Sequence, residues 1–311
     1  MPNLGPKPAE AAPASVAQDP AALLPASVLL LTYNEETGIE TCLRNVCSFA
    51  ADVVVLDSFS TDRTLEICRR YPCRIIQHEF LNFSEQRNWA LQNIDWKYDW
   101  LLTVDADETF PEALIKEIGH ALESLDINGY WINRRYIFLQ RWIKYGGKYP
   151  LWTIRLYRRS KTRHEERAST AHALVEGRTA YLKNDIIHED LKDLHSLLHR
   201  HNRYSTADAM ELLMLEHGML QRGVEPRLFG NVVERRRWIK DKIWPKLPFR
   251  PLVIFGYQYF FRLGFLDGYA GFVFCVLMGI QVFHMDVKLY EMRQRLARGL
   301  LEIDSRNVFR S

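Results

Sequence analysis

The sequence is poor in cysteine, in net charge and in long apolar runs, and each shortage excludes a class of protein. Five cysteines in 311 residues, an odd number, do not supply a disulfide framework, so we interpret them as small buried apolar side chains. A net charge of +3 lacks the strongly basic character of a nucleic-acid-binding domain. No basic start followed by an apolar run opens the chain, so we predict no signal peptide and a cytoplasmic protein.

The longest apolar run without a charge, residues 268–283, has only sixteen residues, whereas a membrane-spanning helix needs about twenty. The preceding run, 252–266, is interrupted by Arg262. We therefore expect an interfacial or re-entrant helix pair that bends at 264–268, within an amphipathic, apolar segment of about 240–290. Flanking basic and aromatic residues favour contact with an anionic membrane surface. A buried helical hairpin or an oligomer interface is the alternative.

The order of the chain predicts an α/β fold. Residues 1–24, rich in Ala and Pro, predict a disordered leader. Short apolar runs then alternate four times with helical segments, which predicts a doubly wound, mostly parallel sheet flanked by helices. The predicted strands are 28–31, 53–56, 74–77 and 100–104, and the predicted helices are 38–49, 63–71, 84–94 and 111–122.

The remainder of the chain changes character. Alternating aromatic-rich pieces between 129 and 187 predict antiparallel strands packed on the edge of the sheet. A helical pattern covers 195–222. We expect a catalytic domain over 25–192 and a helical C-terminal region over 193–311 that associates with membranes.

Polar clusters follow the first, second and fourth predicted strands, where ligands of such sheets bind. They occupy residues 32–36, 57–62 and 105–107. Asp105 and Asp107 together could hold Mg²⁺ or Mn²⁺, which would neutralise the charge on a departing diphosphate. A solvated acidic loop and ordinary helix N-caps are the alternative readings.

Four segments resemble family 2 glycosyltransferases with the GT-A fold: LTYNEE at 31–36, VVVLDSFSTDRT at 53–64, FSEQRNWAL at 83–91 and LLTVDADE at 101–108. A looser likeness, in RLYR at 155–158, His172, Glu176 and IHED at 187–190, is to the branch that builds lipopolysaccharide cores and exopolysaccharides. Two positions depart from the pattern. Phe59 stands where the family usually has Gly, and Ala173 stands where that branch often has an acid.

The resemblance implies an inverting enzyme that uses a nucleotide sugar, for which we expect a UDP-sugar. The residues implied for the nucleotide are Thr32, Tyr33, Asn34, Glu35, Asp57, Arg87 and Asp105. The residues implied for the metal are Asp105, Asp107 and His172. An inverting transferase also needs a carboxylate that deprotonates the acceptor hydroxyl, and our candidates are, in order, Glu189, Asp190 and Glu176.

We expect a lipid-linked, lipopolysaccharide or exopolysaccharide acceptor, because the apolar, basic tail would hold the enzyme on the inner membrane surface. The protein would then be peripheral on the cytoplasmic membrane, and a homo-oligomer remains open. A nucleotidyltransferase is one alternative, but it would normally carry a Gly-rich basic loop after the first strand. A non-catalytic membrane scaffold is another, and the retained acids at positions 57, 105 and 107 count against it.

Overall fold

The computed structural model describes residues 23–165, 172–219 and 247–302. The predicted leader, apart from its last two residues, and the basic stretch up to residue 246 lie outside the described residues. The predicted parallel sheet is present in the order β3-β2-β1-β4, with every neighbouring pair parallel. Its strands are β1 (Leu24–Thr32), β2 (Ala50–Asp57), β3 (Arg74–Gln77) and β4 (Trp100–Asp105). The apolar runs of β1, β2 and β4 are buried strands, as predicted, whereas β3 is a partly exposed edge strand.

The four predicted helices, one after each of these strands, are present, and the first two are four residues shorter than predicted. They are α1 (Ile39–Val46), α2 (Thr64–Cys68), α3 (Phe83–Asn93) and α4 (Glu112–Leu122). The helix α1 ends early because the chain turns into β2 at Ala50. Asn82 caps α3, since its side-chain oxygen accepts a 2.8 Å hydrogen bond from the backbone N–H of Glu85.

The second half of the sheet continues the first half instead of packing on its edge. Its strands are β5 (Glu108–Thr109), β6 (Ile127–Phe138), β7 (Arg141–Trp142), β8 (Trp152–Arg158) and β11 (Arg178–Glu189). As predicted, β6 and β8 are antiparallel. The prediction was wrong for β11, which runs parallel to β6. The reason is that β9 (Thr162–His164) and β10 (Ala173–Val175) form a separate two-stranded sheet between β8 and β11. The chain then starts β11 at the end of the main sheet at which β6 also starts.

The strands β1, β2, β4, β6 and β11 thus all run in one direction, and their last residues meet on one edge of the sheet. We call this edge the carboxyl edge. It is marked by Thr32, Asp57, Asp105, Phe138 and Glu189, the final residues of those strands. The polar clusters predicted from the sequence lie there.

Helices cover both faces of the sheet. The apolar faces of α1, α2 and α4 pack on one side, and α3 packs on the other. Alternate residues of β1 serve the two sides, with Val28 and Leu30 in one cluster and Leu29 in the other. None of the five cysteines, which all lie within the described residues, forms a disulfide bond. Cys42, Cys68 and Cys275 are buried, which agrees with the interpretation of the cysteines as core residues.

The described residues after β11 are mainly helical. They form α5 (Leu194–Glu216), α6 (Arg250–Gly256), a π-helical turn (Tyr257–Phe261), a 3₁₀ turn (Gly264–Asp267) and α7 (Gly268–Ala297). We call residues 250–297 the hairpin. Its bend falls at 264–268, as predicted. Glycine is required at position 271, in the first turn of α7, because a Cβ there would lie 2.2 Å from the carbonyl oxygen of Gly264 in the bend.

The hairpin contains one helical stretch, Gly264–Ala297, that is long and apolar enough to cross a membrane by length and composition, with 33% of its most apolar window buried. The count of sixteen uncharged residues underestimated this stretch, because the helix continues past the first charged side chain. The length of this helix therefore does not decide whether it lies on a membrane surface or crosses the membrane.

The hairpin is bonded to the sheet. Asp267, which is 3% exposed, accepts a 2.8 Å hydrogen bond from the backbone N–H of Tyr145. The next N–H, of Gly146, donates to the carbonyl of Arg262 at 2.9 Å. Phe274 of α7 packs beside Phe138 of β6 in a shared apolar cluster. The loop between β7 and β8 thus lies between the hairpin and the sheet.

Phe59, where the resemblance expects Gly, has a left-handed backbone with φ of 58° and a side chain that is 54% exposed. That conformation costs a residue with a Cβ about 1–2 kcal/mol. Glycine avoids this strain, but it loses about 0.5–1 kcal/mol more conformational entropy on folding. We expect Phe59→Gly to raise the free energy of unfolding by about 0.5 kcal/mol in urea titrations. Phe80→Gly is the control and should destabilise, because Phe80 lacks a positive φ and packs edge-on against Phe83. Equal losses in both variants would refute the strain at Phe59.

Candidate active site

The loops that follow β1 and β2 are bonded into one rigid surface at the carboxyl edge. The Asn34 N–H donates to Ser60 Oγ at 2.9 Å, and Asn34 Oδ1 accepts from the Thr61 N–H at 2.8 Å. The Glu35 N–H donates to Thr64 Oγ1 at 2.8 Å. Asn34 has a φ of 53°, which Asn tolerates better than most residues. The side-chain oxygen of Asn34 is thus engaged in shaping the loop.

Asp57 is fully buried, and the protein satisfies its carboxylate completely. Oδ1 accepts from Thr32 Oγ1 at 3.1 Å and from Ser60 Oγ at 2.5 Å. Oδ2 accepts from the Ser60 N–H at 2.9 Å and from Gln77 Nε2 at 3.2 Å. A carboxylate has about four acceptor positions. Contact between Asp57 and a nucleoside stays a prediction, and it requires one of these bonds to open.

Tyr33 and Glu35 have different environments on this surface. The Tyr33 ring is 48% exposed, so it is free to receive a flat ligand. The Glu35 carboxylate pairs with Lys192 Nζ at 2.7 Å, and the same ammonium donates to the Asn34 carbonyl at 2.9 Å. Burial raises the pKa of Glu35 against the opposing charge of Lys192. Lys192, which the sequence did not indicate, thus joins the segment after β11 to the loop after β1.

The fourth strand ends in a cluster of two acids and three arginines. Arg155 Nη2 lies 2.6 Å from Asp105 Oδ2 and 2.7 Å from Glu108 Oε1. Arg134 Nη1 lies 3.5 Å from Glu108 Oε1 and 3.8 Å from Asp105 Oδ2. Arg87 Nη2 lies 3.6 Å from Asp105 Oδ1. The predicted residues Arg87 and Asp105 are therefore brought together.

The charges in this cluster determine the protonation of its acids. Burial works against ionisation of Asp105, but Arg155, Arg87 and Arg134 outweigh it and hold the pKa of Asp105 far below its usual range. Burial raises the pKa of Glu108, and Arg155 opposes this effect. Asp105 is therefore ionised at neutral pH, and its side chain is 30% exposed toward the edge.

Asp107 lies beside His188, the next-to-last residue of β11. Asp107 Oδ1 is 3.1 Å from His188 Nδ1, yet both atoms are buried and make no hydrogen bond. The His188 ring also stacks on Tyr136, with 5.2 Å between centroids. A carboxylate oxygen and an imidazole nitrogen without other partners are suitable ligands for Mn²⁺, whereas Mg²⁺ prefers oxygen alone.

The described residues contain no group of three His, Cys, Asp or Glu side chains arranged to hold a metal ion. Asp107 and His188 could thus supply only part of a metal's ligands. Phosphate oxygens and water would have to supply the rest, which is the usual arrangement for cations that bridge a protein to a diphosphate.

His172 is not part of this arrangement. Its side chain is exposed at the start of the β10 segment, and only its carbonyl makes a described bond, with the Glu165 N–H at 2.9 Å. No local pattern in the sequence favoured His188 over His172. The fold brings His188 opposite Glu108 through the pairing of β11 with β5. A metal contact by His172 stays a prediction that no described contact supports.

The three candidate bases lie in different places. Glu189 is exposed, no described residue pairs with its carboxylate, and its N–H donates to the Asp107 carbonyl at 3.0 Å. Asp190 forms an ion pair with Arg200 of α5 and accepts from the Lys192 N–H at 3.1 Å. Glu176 precedes β11, at the opposite end of the strand from Glu189. Glu189 is therefore the candidate that has both a free carboxylate and a position beside Asp107.

Comparison with known proteins places residues 27–186, just over half of the chain, in the sequence family described as glycosyl transferase family 2. A Rickettsia typhi protein named as an uncharacterized glycosyltransferase is 25% identical over 92% of this chain and 90% of its own. Its Rickettsia bellii counterpart is 32% identical, but over only 33% of this chain and 35% of that protein.

Solved structures resemble the chain at low identity. Staphylococcus aureus TarS in complex with UDP-GlcNAc is 16% identical over 89% of this chain and 92% of that chain, with a TM-score of 0.47. Glucosyl-3-phosphoglycerate synthase from Mycobacterium tuberculosis, with Mn²⁺ and UDP, is 16% identical over 66% of this chain and 84% of its own, with a TM-score of 0.40.

Replacing Arg155 by Met tests the buried cluster. It leaves Asp105 and Glu108 without their shortest ion pairs, so we expect a loss of about 3–5 kcal/mol in the free energy of unfolding. Arg70→Met is the matched control, because its 2.6 Å pair with Glu66 is exposed, and it should cost no more than about 0.5 kcal/mol. Urea denaturation followed by tryptophan fluorescence measures both. A loss at Arg155 no larger than the control's would contradict the role of this cluster.

Proposed function

The chain belongs to glycosyl transferase family 2, and from that premise we propose that it is an inverting, metal-dependent enzyme that transfers a sugar from a UDP-sugar to a lipid-linked, lipopolysaccharide or exopolysaccharide acceptor. The observation that carries the proposal is the Asp107–His188 pair, with both facing atoms buried and unbonded, beside the ionised Asp105. A nucleotidyltransferase is set aside because the family is that of glycosyltransferases.

The donor would lie along the carboxyl edge. Tyr33 offers an exposed ring for the base, and the bonded loops after β1 and β2 offer a rigid surface for the nucleoside. Arg87 lies 3.6 Å from Asp105, so its guanidinium is close to where the diphosphate would meet these residues. Loops held in place before binding reduce the ordering entropy that a ligand must overcome.

A divalent cation on Asp107 and His188 would stabilise the negative charge that builds on the leaving diphosphate. Glu189 would accept the proton of the acceptor hydroxyl. The hydroxyl oxygen then forms a bond to the anomeric carbon from the side opposite the diphosphate, the bond from that carbon to the diphosphate oxygen breaks, and the configuration inverts. Arg155 and Arg134 keep Asp105 ionised and in position during this exchange.

The hairpin supports an acceptor at the inner surface of the cytoplasmic membrane. Its exposed aromatic side chains are Tyr257, Phe260, Phe261, Phe265, Tyr269, Phe272, Phe283 and Tyr290. An open groove of ≈ 500 Å³ between α6 and α7 has an almost wholly apolar lining that includes Leu252 and Ile280. Large exposed apolar patches of this kind mark interaction sites. A protein peripheral on the membrane, or anchored through α7, would meet acceptors that are themselves held by lipid.

A donor screen tests the reaction. Purified protein would be incubated with Mn²⁺ or Mg²⁺, a membrane extract and a panel of UDP-, GDP- and dTDP-sugars, with release of nucleoside diphosphate as the readout. We expect release from one UDP-sugar that stops on addition of a chelator. No release from any donor, together with no UDP binding by calorimetry in the presence of Mn²⁺, would favour a non-catalytic scaffold.

The metal ligands can be tested without turnover. Asp107→Asn and His188→Gln should each weaken Mn²⁺ binding in the presence of UDP by about tenfold or more, as measured by electron paramagnetic resonance of free Mn²⁺, and should abolish transfer. His172→Gln is the matched control and should bind Mn²⁺ like the wild type. The opposite ranking of the two histidines would return the ligand role to His172.

The base can be separated from the metal site. Glu189→Gln should lower kcat by about 10²–10⁴-fold while leaving the affinity for UDP and Mn²⁺ unchanged, because it removes only proton transfer. Asp190→Asn would instead break the ion pair with Arg200 and should reduce stability. If Glu189→Gln keeps full kcat and Asp190→Asn loses it without unfolding, the base is Asp190.

A further inference from the structure

Lys148, in the loop between β7 and β8, places a cation close to the Asp107–His188 pair. Its Nζ lies 5.9 Å from the centroid of the Tyr136 ring and 5.1 Å from that of Phe274. Tyr136 in turn stacks on His188. One aromatic ring therefore separates this ammonium from the imidazole that faces Asp107. The contact with Phe274 places the Lys148 ammonium against α7.

No acid neutralises this ammonium among the residues that the structure describes, where Nζ of Lys148 forms neither an ion pair nor a hydrogen bond. Its surroundings are cationic instead. Burial and the charge of Arg134 lower the pKa of Lys148 to about 8. Burial, followed by the charges of Lys148, Arg200 and His284, lowers the pKa of His201.

Basic side chains from three elements thus lie near one another: Lys148 from the β7–β8 loop, Arg200 and His201 from α5, and His284 from α7. Of these four, only Arg200 has an acid partner within the described ranges, namely Asp190. His284 Nδ1 is buried without a hydrogen bond. A partly buried ammonium such as that of Lys148, without an anionic partner, is unfavourable unless an anion binds beside it.

The position of this cluster favours the acceptor over the donor as the source of that anion. The residues expected to hold the nucleotide lie at the carboxyl ends of β1, β2 and β4, in the loop after β1, or on α3. Lys148 lies across Tyr136 from the Asp107–His188 pair, against α7. Its loop is held by the hairpin through the bonds from Tyr145 to Asp267 and from Gly146 to Arg262. An acceptor that approaches along the hairpin reaches Lys148 next to the reacting centre.

We infer that Lys148, with His201 and His284 beside it, binds a phosphate group carried by the acceptor and so determines which acceptors are used. The inference rests on the proposed function, because it assigns the acceptor side of the same active site. A phosphate on a membrane lipid and a phosphate on a soluble sugar present the same chemistry to this cluster. The apolar groove and exposed aromatics of the hairpin would add affinity only for an ester that carries an alkyl chain.

The test uses the full chain and two probes, hexyl phosphate and inorganic phosphate, with binding measured by isothermal titration calorimetry. The variants are Lys148→Met, which removes the charge, and Lys148→Arg, which keeps it. Lys144→Met is the matched control, because Lys144 lies in the same loop, is exposed, and packs over Trp142 and Tyr145. Thermal denaturation of each variant checks that it folds.

We expect Lys148→Met to weaken hexyl phosphate binding by at least about tenfold, the effect of losing one charge-assisted hydrogen bond. Lys148→Arg and Lys144→Met should stay within about threefold of the wild type. Tighter binding of hexyl phosphate than of inorganic phosphate identifies a lipid phosphate as the ligand. Equal binding of both probes, still dependent on Lys148, identifies a phosphate on a soluble acceptor.

Two results would overturn the inference. One is equal weakening by Lys148→Met and Lys144→Met, which would mean a general effect of charge. The other is a loss of UDP affinity in Lys148→Met, in the presence of Mn²⁺, as large as its loss of hexyl phosphate affinity, which would assign Lys148 to the donor. Should wild-type protein bind hexyl phosphate through Lys148 but not bind UDP, the proposed function fails while the phosphate site stands.

Discussion

The salt bridges from buried Arg155 to Asp105 and Glu108 are the interaction on which the active site depends. Burial works against ionisation of Asp105, and the charge of Arg155, which is 6% exposed, outweighs this effect and lowers the pKa of Asp105 far below its usual range. By holding Asp105 at the end of β4, Arg155 also fixes the short loop that carries Asp107. The geometry of the Asp107–His188 pair therefore depends on a side chain contributed by the antiparallel strand β8, which lies between β4 and β6.

The second constraint is the direction of β11. Because β11 runs parallel to β6, it ends at the carboxyl edge and brings His188 opposite Glu108. Had it run antiparallel, His188 and Glu189 would lie at the other edge, away from Asp107. The same ordering leaves Glu176 at the far end of the strand. The direction of β11 thus places Glu189 beside the site and Glu176 far from it.

The hairpin, the segment that we propose contacts the membrane, is hydrogen-bonded to the β7–β8 loop that carries Lys148. Asp267 and Arg262 bond two successive N–H groups of that loop, and Lys148 follows two residues later. A movement of the hairpin would displace this loop directly, because hydrogen bonds join the backbone of the loop to the hairpin. The family membership of the chain explains the parallel half of the sheet and its acids. The bonded hairpin is what would adapt that framework to an acceptor held in lipid.

The sequence alone determined the four parallel strands, the helices between them, the clusters at 32–36, 57–62 and 105–107, and the family, because these depend on local periodicity and on motifs a few residues long. It also indicated the bend at 264–268 from its glycines. Only the tertiary structure decided that Asp57 is saturated by hydrogen bonds, that Arg155 neutralises Asp105, and that His188 rather than His172 faces Asp107. The most distant contacts in these three relations join residues 25, 50 and 81 positions apart, and strand order and direction, which no local pattern encodes, bring those residues together.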